Sequence, residues 1–367
     1  MWYRYWLAGI RPLSDRKKIR LCQEYGSARG VYNIEEMQLY SRDYLSEKDV
    51  CTILDARKND GDTLTGRIKE TWEKWNRQGI QIVTYEDSDY PKRLRTISDP
   101  PYALYVKGHL PDGETPVVAI VGARRCTTYG EEMALIYGEK LARAGVQVLS
   151  GMAKGIDGAA QRGALNGGGK SYAVLGSGVD VCYPREHIGL YMDLQKQGGI
   201  LSEQPPGEPP LPAYFPQRNR IISGLADVVI IIEAKERSGS LITADCALEQ
   251  GKDVYALPGP VTSPMSSGCH RLIRQGAGIL LSPEDLLMEM GIGYGKNSQK
   301  SVKNKKVLES TENIVYSCLD LFPKGIQQLV EETGLEPKTL LDQLITLELR
   351  GKIREVSKNY YIKTRPL

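Results

Sequence analysis

The chain reads as an α/β protein: a doubly wound parallel sheet, preceded by a small helical domain and followed by a winged-helix module. Three observations predict this. Short apolar strands alternate with helical segments from about residue 117 to residue 257. The strands are apolar at consecutive positions, as in Val228 to Ile232, which fits a sheet covered on both faces. The last segment runs helix, helix–turn–helix, then hairpin. At ~150 residues per domain, the 367 residues suggest two or three domains with ample core.

Residues 1–75 read as short helices. Ile19, Leu21, Cys22 and Tyr25 have helical spacing, Gly26 and Ser27 break the run, and Ala28 to Tyr32 resume it. This resembles the helix–turn–helix units of small interaction domains of the SAM or helix-hairpin-helix kind. Arg16, Lys17, Lys18 and Arg20 make one end basic, and a solvated helix face is the favoured account of them.

The sheet domain is expected over residues 80–290. Ile80 to Tyr85 and Tyr102 to Val106 are strand-like. Val117 to Val121 reads as a buried strand and precedes a helix from about Thr128 to Ala144. Val146 to Leu149 leads through Gly151–Gly158 into a small-residue helix ending near Leu165. Ser171 to Leu175 and Gly199 to Ser202 are further strands. Asp227 to Glu233 is a β-branched run bounded by charge, and the helix Leu241 to Glu249 and the strand Val254 to Leu257 follow it. Residues 291–306, rich in Gly, Lys and Ser, read as a linker. Residues 307–367 carry helical patterns at about Glu312 to Asp320, Gly325 to Glu332 and Pro337 to Arg350. Lys352 to Val356 and Tyr360 to Lys363 form the hairpin.

Composition narrows the function. Charged residues are 25% and apolar residues 41%, which excludes wholesale disorder. Val228 to Ile232, the longest strongly apolar run, is far short of the ~20 residues that cross a bilayer. Met1 to Arg11 lacks an apolar signal core, so a cytoplasmic protein with no membrane partner is expected. Seven cysteines (22, 51, 126, 182, 246, 269 and 318) never form a CxxC pair, which fits reduced thiols. The three histidines (109, 187 and 270) are too dispersed for a metal-ligand set, and no catalytic constellation stands out. With a net charge of only +3, any nucleic-acid site must be a local patch.

Ligands of open parallel sheets bind beyond the carboxyl ends of the strands. There the chain places Gly122-Ala123-Arg124, Gly151 to Asp157 with Lys154 and Gly155, Gly176-Ser177-Gly178, and Ser202-Glu203. Glycine lets backbone N–H groups approach an anion, helix N-termini add partial positive charge, and Arg124 and Lys154 supply full charges. No P-loop and no complete Gly-x-Gly-x-x-Gly occurs. Phe215-Pro216-Gln217-Arg218-Asn219-Arg220 suits a single strand of nucleic acid, the ring stacking on a base and the guanidinium groups holding phosphates. An equal alternative has Phe215 in the core and the arginines paired with Glu203 or Glu208. Ser238-Gly239-Ser240 is either a helix cap or a phosphate contact. Asp157 orients Lys154, binds a sugar hydroxyl or stabilises its own helix N-terminus.

These stretches together resemble the DNA-processing protein A (DprA/Smf) family. The resemblance rests on Val-Gly-Ala-Arg (121–124), Ser-Gly-Met-Ala-Lys-Gly-Ile-Asp (150–157), Val-Leu-Gly-Ser-Gly-Val-Asp-Val-Cys-Tyr-Pro (174–184), Ser-Glu-Gln-Pro-Pro-Gly (202–207), Phe-Pro-Gln-Arg-Asn-Arg-Ile-Ile-Ser-Gly-Leu (215–225), Ser-Gly-Ser-Leu-Ile-Thr-Ala (238–244), Ala-Leu-Pro-Gly (256–259) and Leu-Ile-Arg-Gln-Gly-Ala (272–277). It implies a Rossmann-like domain that binds single-stranded DNA, dimerises and helps load RecA recombinase during natural transformation, without enzymatic turnover or cofactor. It further implies that Arg124, Lys154 and Arg185 form a basic rim and that Phe215, Arg218, Asn219 and Arg220 contact bases. Three departures stand out: Ala123 where relatives carry Ser, Lys154 for the commoner Arg, and Gln161 where His is usual. Self-association is expected through Gly268 to Leu281, with His270, Ile273 and Ile279 either on an exposed face or in the core.

Two other functions compete. A phosphoribohydrolase-like nucleotide enzyme on a related fold would carry Pro-Gly-Gly-x-Gly-Thr-x-x-Glu, which is absent; Ser238 to Ala244 stands in its place. A transcription factor would read DNA through the last domain, yet its third helix carries Asp342 and Glu348 beside Lys338.

Overall fold

The computed structural model describes residues 2–58, 62–293, 310–320 and 322–364. The linker expected at 291–306 therefore lies outside the described residues from 294 onward.

Six helices open the chain: α1 (Trp2–Gly9), α2 (Asp15–Tyr25), α3 (Ala28–Tyr32), α4 (Glu36–Tyr40), α5 (Glu47–Lys58) and α6 (Asp62–Arg77). Leu7, Leu21, Val31, Leu39 and Ile53, one from each of the first five, meet in a common core. The Gly26-Ser27 break is a stop followed by a start. Gly26 takes a left-handed φ of 77° at the C-cap of α2, and the Ser27 hydroxyl accepts the Gly30 N–H at 3.2 Å to cap α3. A Cβ at Gly26 would meet nothing within 4 Å, so the only penalty of Gly26→Ala is conformational. We expect it to lower stability by about 1 kcal/mol in urea unfolding and to leave nucleic-acid binding unchanged.

The central sheet follows in chain order: β1 (Ile80–Thr84), α7 (Lys92–Arg95), β2 (Ala103–Gly108), β3 (Val117–Gly122), α8 (Thr128–Arg143), β4 (Gln147–Ser150), α9 (Ile156–Asn166), β5 (Ser171–Val174), α10 (Ile188–Lys196), β6 (Gly198–Ser202), α11 (Tyr214–Leu225), β7 (Val228–Ile232), α12 (Gly239–Glu249), β8 (Asp253–Ala256), α13 (Ser267–Arg274), β9 (Gly278–Ile279) and α14 (Pro283–Glu289). The spatial order is β1-β2-β6-β5-β4-β3-β7-β8-β9. Neighbours from β6 to β9 pair in parallel, Val118 lying opposite both Val148 of β4 and Val228 of β7. The expected all-parallel sheet is corrected at one edge, where β2 runs antiparallel to both β1 and β6. The connection between β1 and β2 carries α7, whose Leu94 packs into the sheet core.

Alternate residues of one strand serve opposite layers. Val117, Ala119 and Val121 of β3 face one core with Val229 and Ile231, while Val118 and Ile120 face the other with Ile230 and Ile232. Helices cover both faces, which is why these strands are apolar throughout. From β3 the chain winds outward through β4, β5 and β6, then crosses back to place β7 on the other side of β3. The strand order thus reverses between β3 and β7, and a crevice opens at their carboxyl ends.

The chain ends in α15 (Ser310–Cys318), β10 (Lys324–Gly325), α16 (Ile326–Thr333), α17 (Pro337–Leu349), β11 (Ile353–Ser357) and β12 (Tyr360–Lys363), with sheet order β10-β12-β11. Val315, Leu329, Leu340, Leu344 and Leu347 fill its separate core. This is the winged-helix order that the pattern predicted.

Candidate nucleic-acid interface

The crevice between β3 and β7 begins with a glycine. A Cβ on Gly122 would strike the Ile232 carbonyl oxygen, so the two strands lie this close only with hydrogen at that position. Ala123, Arg124 and Arg125 then climb out of the sheet to the α8 N-terminus. Thr127 caps that helix, its hydroxyl accepting the Gly130 N–H at 3.2 Å. The carboxylate of Glu233, at the end of β7 with φ 53°, accepts both the Thr127 N–H at 2.7 Å and its hydroxyl at 2.5 Å.

The β4–α9 loop forms the neighbouring wall. Gly155 has φ 72° and runs against the carbonyl oxygens of Ala123 and Arg124, where no side chain fits. Gly151 and Ala153 donate their N–H groups to the Asp157 carboxylate at 3.1 and 3.4 Å. Of the three roles left open for Asp157, the contacts give the last: it fastens the loop at the head of its own helix. Burial raises its pKa, and the charge of Arg218 is the chief counterweight.

Arg218 projects from α11 into this corner and is 5% exposed. One guanidinium nitrogen donates to the Gly151 carbonyl at 3.0 Å and to the Val174 carbonyl, tying the ends of β4 and β5 to α11. Among the described residues its Nε has no hydrogen-bond partner. Burial, against the opposing pull of Asp157, brings its pKa down to about 10.

Phe215, in the first turn of α11, is half-buried. Its ring centroid lies 5.2 Å from the Arg124 guanidinium, 5.9 Å from that of Arg218 and 5.7 Å from the ring of Tyr183. Across the crevice, Ser238 caps α12: its hydroxyl accepts the Ser240 N–H at 3.4 Å and lies 2.8 Å from the Ser240 hydroxyl. Asn219 reaches over to donate to the Gly239 carbonyl at 3.3 Å. Capping and lining are therefore both true of Ser238, Gly239 and Ser240.

These walls enclose a cleft of about 630 Å³. Exposed Arg124, Arg125, Lys235 and Arg237 line it, and none forms an ion pair among the described residues. Arg125, Lys235 and Arg237 escaped the sequence reasoning. The signal for the last two was the loop after β7, which a switch point between β3 and β7 turns towards the same crevice as Arg124.

The structure separates other expected members from this cleft. Arg220 and Gln217 sit on the far side of α11 from Phe215, because successive helical residues step by about 100°. Both face a second cavity of about 850 Å³ between the N-terminal helices and the sheet. There Arg220 pairs with Glu203 at 2.5 Å and Asp99 at 3.2 Å, the alternative weighed for the arginines. Lys154 pairs with Glu186 at 2.6 Å on the open surface, and exposed Arg185 stands in the short turn Arg185–His187; neither lines the cleft. Gly151 and Gly155 shape its wall without lining it. Gln161 lies buried and donates to the Tyr172 carbonyl at 2.8 Å. Among the described residues no group of His, Cys, Asp and Glu is arranged to hold a metal ion.

On the far edge, the expected self-association residues divide. The His270 ring lies 3.0 Å from the Gly259 carbonyl, and Ile273 packs on the core. Ile279 is half-exposed on the edge strand β9, with Leu281 just beyond it more exposed still.

A family model, DNA recombination-mediator protein A, matches residues 81–291, which contain the whole crevice. The chain belongs to that family. The DprA winged helix domain matches residues 299–357. Protein Smf of Escherichia coli is 40% identical over 294 residues, covering 78% of each chain. DNA processing protein DprA of Streptococcus pneumoniae is 46% identical over 207 residues, 55% of this chain and 72% of that one. The X-ray structure of the S. pneumoniae protein superposes with a TM-score of 0.69 and 32% identity, covering 80% of this chain and 99% of that one. A structure of DNA processing protein A from Helicobacter pylori, described for its single-stranded DNA binding mode, gives a TM-score of 0.51 and 30% identity over 57% of this chain and 95% of that one. The crevice of this family member thus lies within the part that it shares with its relatives.

Proposed function

We propose that this chain is a non-enzymatic recombination mediator that holds single-stranded DNA in the β3–β7 crevice. It acts as a cytoplasmic homodimer, self-associating at the β9 edge, and passes its DNA to RecA recombinase during natural transformation. One observation carries the reading: Arg124, Arg125, Lys235 and Arg237, with no ion pair among the described residues, converge on a cleft that Phe215 also lines. Unpaired cations suit a chain of phosphates, and an aromatic face suits unstacked bases of any sequence. Among the described residues Asp157 is the one carboxylate that lines the cleft, and its engagement with the Gly151 and Ala153 N–H groups supports the absence of turnover. Among the described residues no helix is long and apolar enough to cross a membrane.

The test is a titration of labelled oligonucleotide, single- against double-stranded, at two salt concentrations. Preference for the single strand, with affinity falling as salt rises, is the expected result; equal binding of both forms rejects the assignment. Incubation with nucleoside monophosphates should release no free base. Release at a useful rate would favour the phosphoribohydrolase alternative.

A further inference from the structure

The helix α17 holds the position of a recognition helix, yet its outer face is built for something other than DNA. Leu340, Leu344 and Leu347 are fully buried in the domain core. Leu341, Ile345 and Leu349 follow one another at intervals of four and are 37%, 53% and 84% exposed. At about 100° per residue they form one continuous stripe, about 12 Å long. Asp342 borders the stripe on one side and Glu348 on the other, both exposed. Lys338, at its N-terminal end, is the one cation of this face among the described residues. Arg350, just past the helix, is engaged by Glu312 at 2.7 Å. An apolar row between two acidic flanks repels phosphate, whose contacts hold a recognition helix on a duplex.

We propose that this stripe is a docking surface for an amphipathic helix of another protein, one that carries apolar residues along one face and Lys or Arg on both sides of them. Charge complementarity selects this occupant. The apolar side chains supply contact area, and the flanking carboxylates demand basic partners and set the register. A second copy of the same helix fits poorly. Antiparallel pairing about Ile345 brings Leu341 against Leu349 of the other copy, but it also gathers both copies' Asp342 on one side of the seam and both copies' Glu348 on the other, where like charges repel.

The experiment uses the full chain and two labelled synthetic amphipathic helices that share one leucine face, the first flanked by lysines and the second by glutamates. Fluorescence anisotropy should show the lysine-flanked peptide binding at least about tenfold more tightly than its twin. The exposed Ile345→Ser and Leu349→Ser changes together should weaken it by about tenfold or more. Asp342→Asn with Glu348→Gln should bring the two peptides together in affinity. All variants should keep the parent's far-ultraviolet circular dichroism and urea unfolding of the last domain, which shows that α17 is still folded, and should bind the single-stranded oligonucleotide as the parent does. The proposal is overturned if neither peptide binds, if both bind equally, or if the serine changes leave binding intact. Self-association that those changes abolish would instead assign the stripe to a second copy. Competition by duplex DNA that is absent in the same variants would make α17 a DNA-reading helix.

Discussion

Replacing Arg124 and Arg237 together by alanine should lower single-strand affinity by about tenfold or more at moderate salt and flatten its salt dependence. Each residue lines the crevice, is exposed and has no carboxylate partner among the described residues, so its charge is available to phosphate. For a single strand, removing one cation that neutralises a phosphate should reduce the slope of log affinity against log salt by about 0.7. Arg124 also lies over the Phe215 ring, so its removal takes a neighbour away from the stacking surface. Arg220→Ala is the matched control. Its guanidinium is consumed by Glu203 and Asp99 on the far side of α11, and its removal should leave the slope unchanged. The readout is oligonucleotide anisotropy across a salt series. If Arg220→Ala flattened the slope as much as the double change, the crevice would be the wrong site.

How far the sequence disclosed this arrangement depended on the scale of the pattern. β3 and β7 were legible because burial on both faces leaves no polar position in them. The Gly26-Ser27 break was legible because a left-handed C-cap and a hydroxyl N-cap have few chemical solutions. The direction of β2 was not, since an antiparallel edge strand has the same composition as a parallel one. The cluster Arg218-Asn219-Arg220 looked like one unit along the chain. Within α11, however, about 100° per residue sends Arg218 and Asn219 to the crevice and Arg220 to the opposite wall. Lys235 and Arg237 went unnoticed for the converse reason: they lie far from Arg124 along the chain and join it only through the return of β7 to the side of β3. Side-chain sharing across a switch point belongs to topology, which no local pattern encodes.

Arg218 carries the largest expected stability effect. Arg218→Met should cost about 3–5 kcal/mol at neutral pH in urea unfolding, because it strands a buried carboxylate and removes the donor that satisfies the Gly151 and Val174 carbonyls. The pH dependence follows from Asp157. Burial already raises its pKa, and loss of the guanidinium removes the main influence that lowers it. A carboxyl whose folded pKa stands above its unfolded value stabilises the fold below the unfolded pKa, and that contribution is lost as pH rises through the folded one. The variant should therefore regain stability on acidification, until general acid unfolding intervenes, and be weakest at alkaline pH. Adding Asp157→Asn, which keeps an oxygen for the loop N–H groups and removes the charge, should recover much of the loss and abolish that pH dependence. The surface pair of Lys154 and Glu186 supplies the contrast: more than half exposed on both sides, it should change stability by less than about 1 kcal/mol when Lys154 becomes Ala. A small, pH-independent loss in Arg218→Met would mean that Asp157 needs no counter-charge. The corner where β4, β5 and α11 meet would then be held by packing alone, and the crevice wall would owe its shape to the glycines and not to the charge of Arg218.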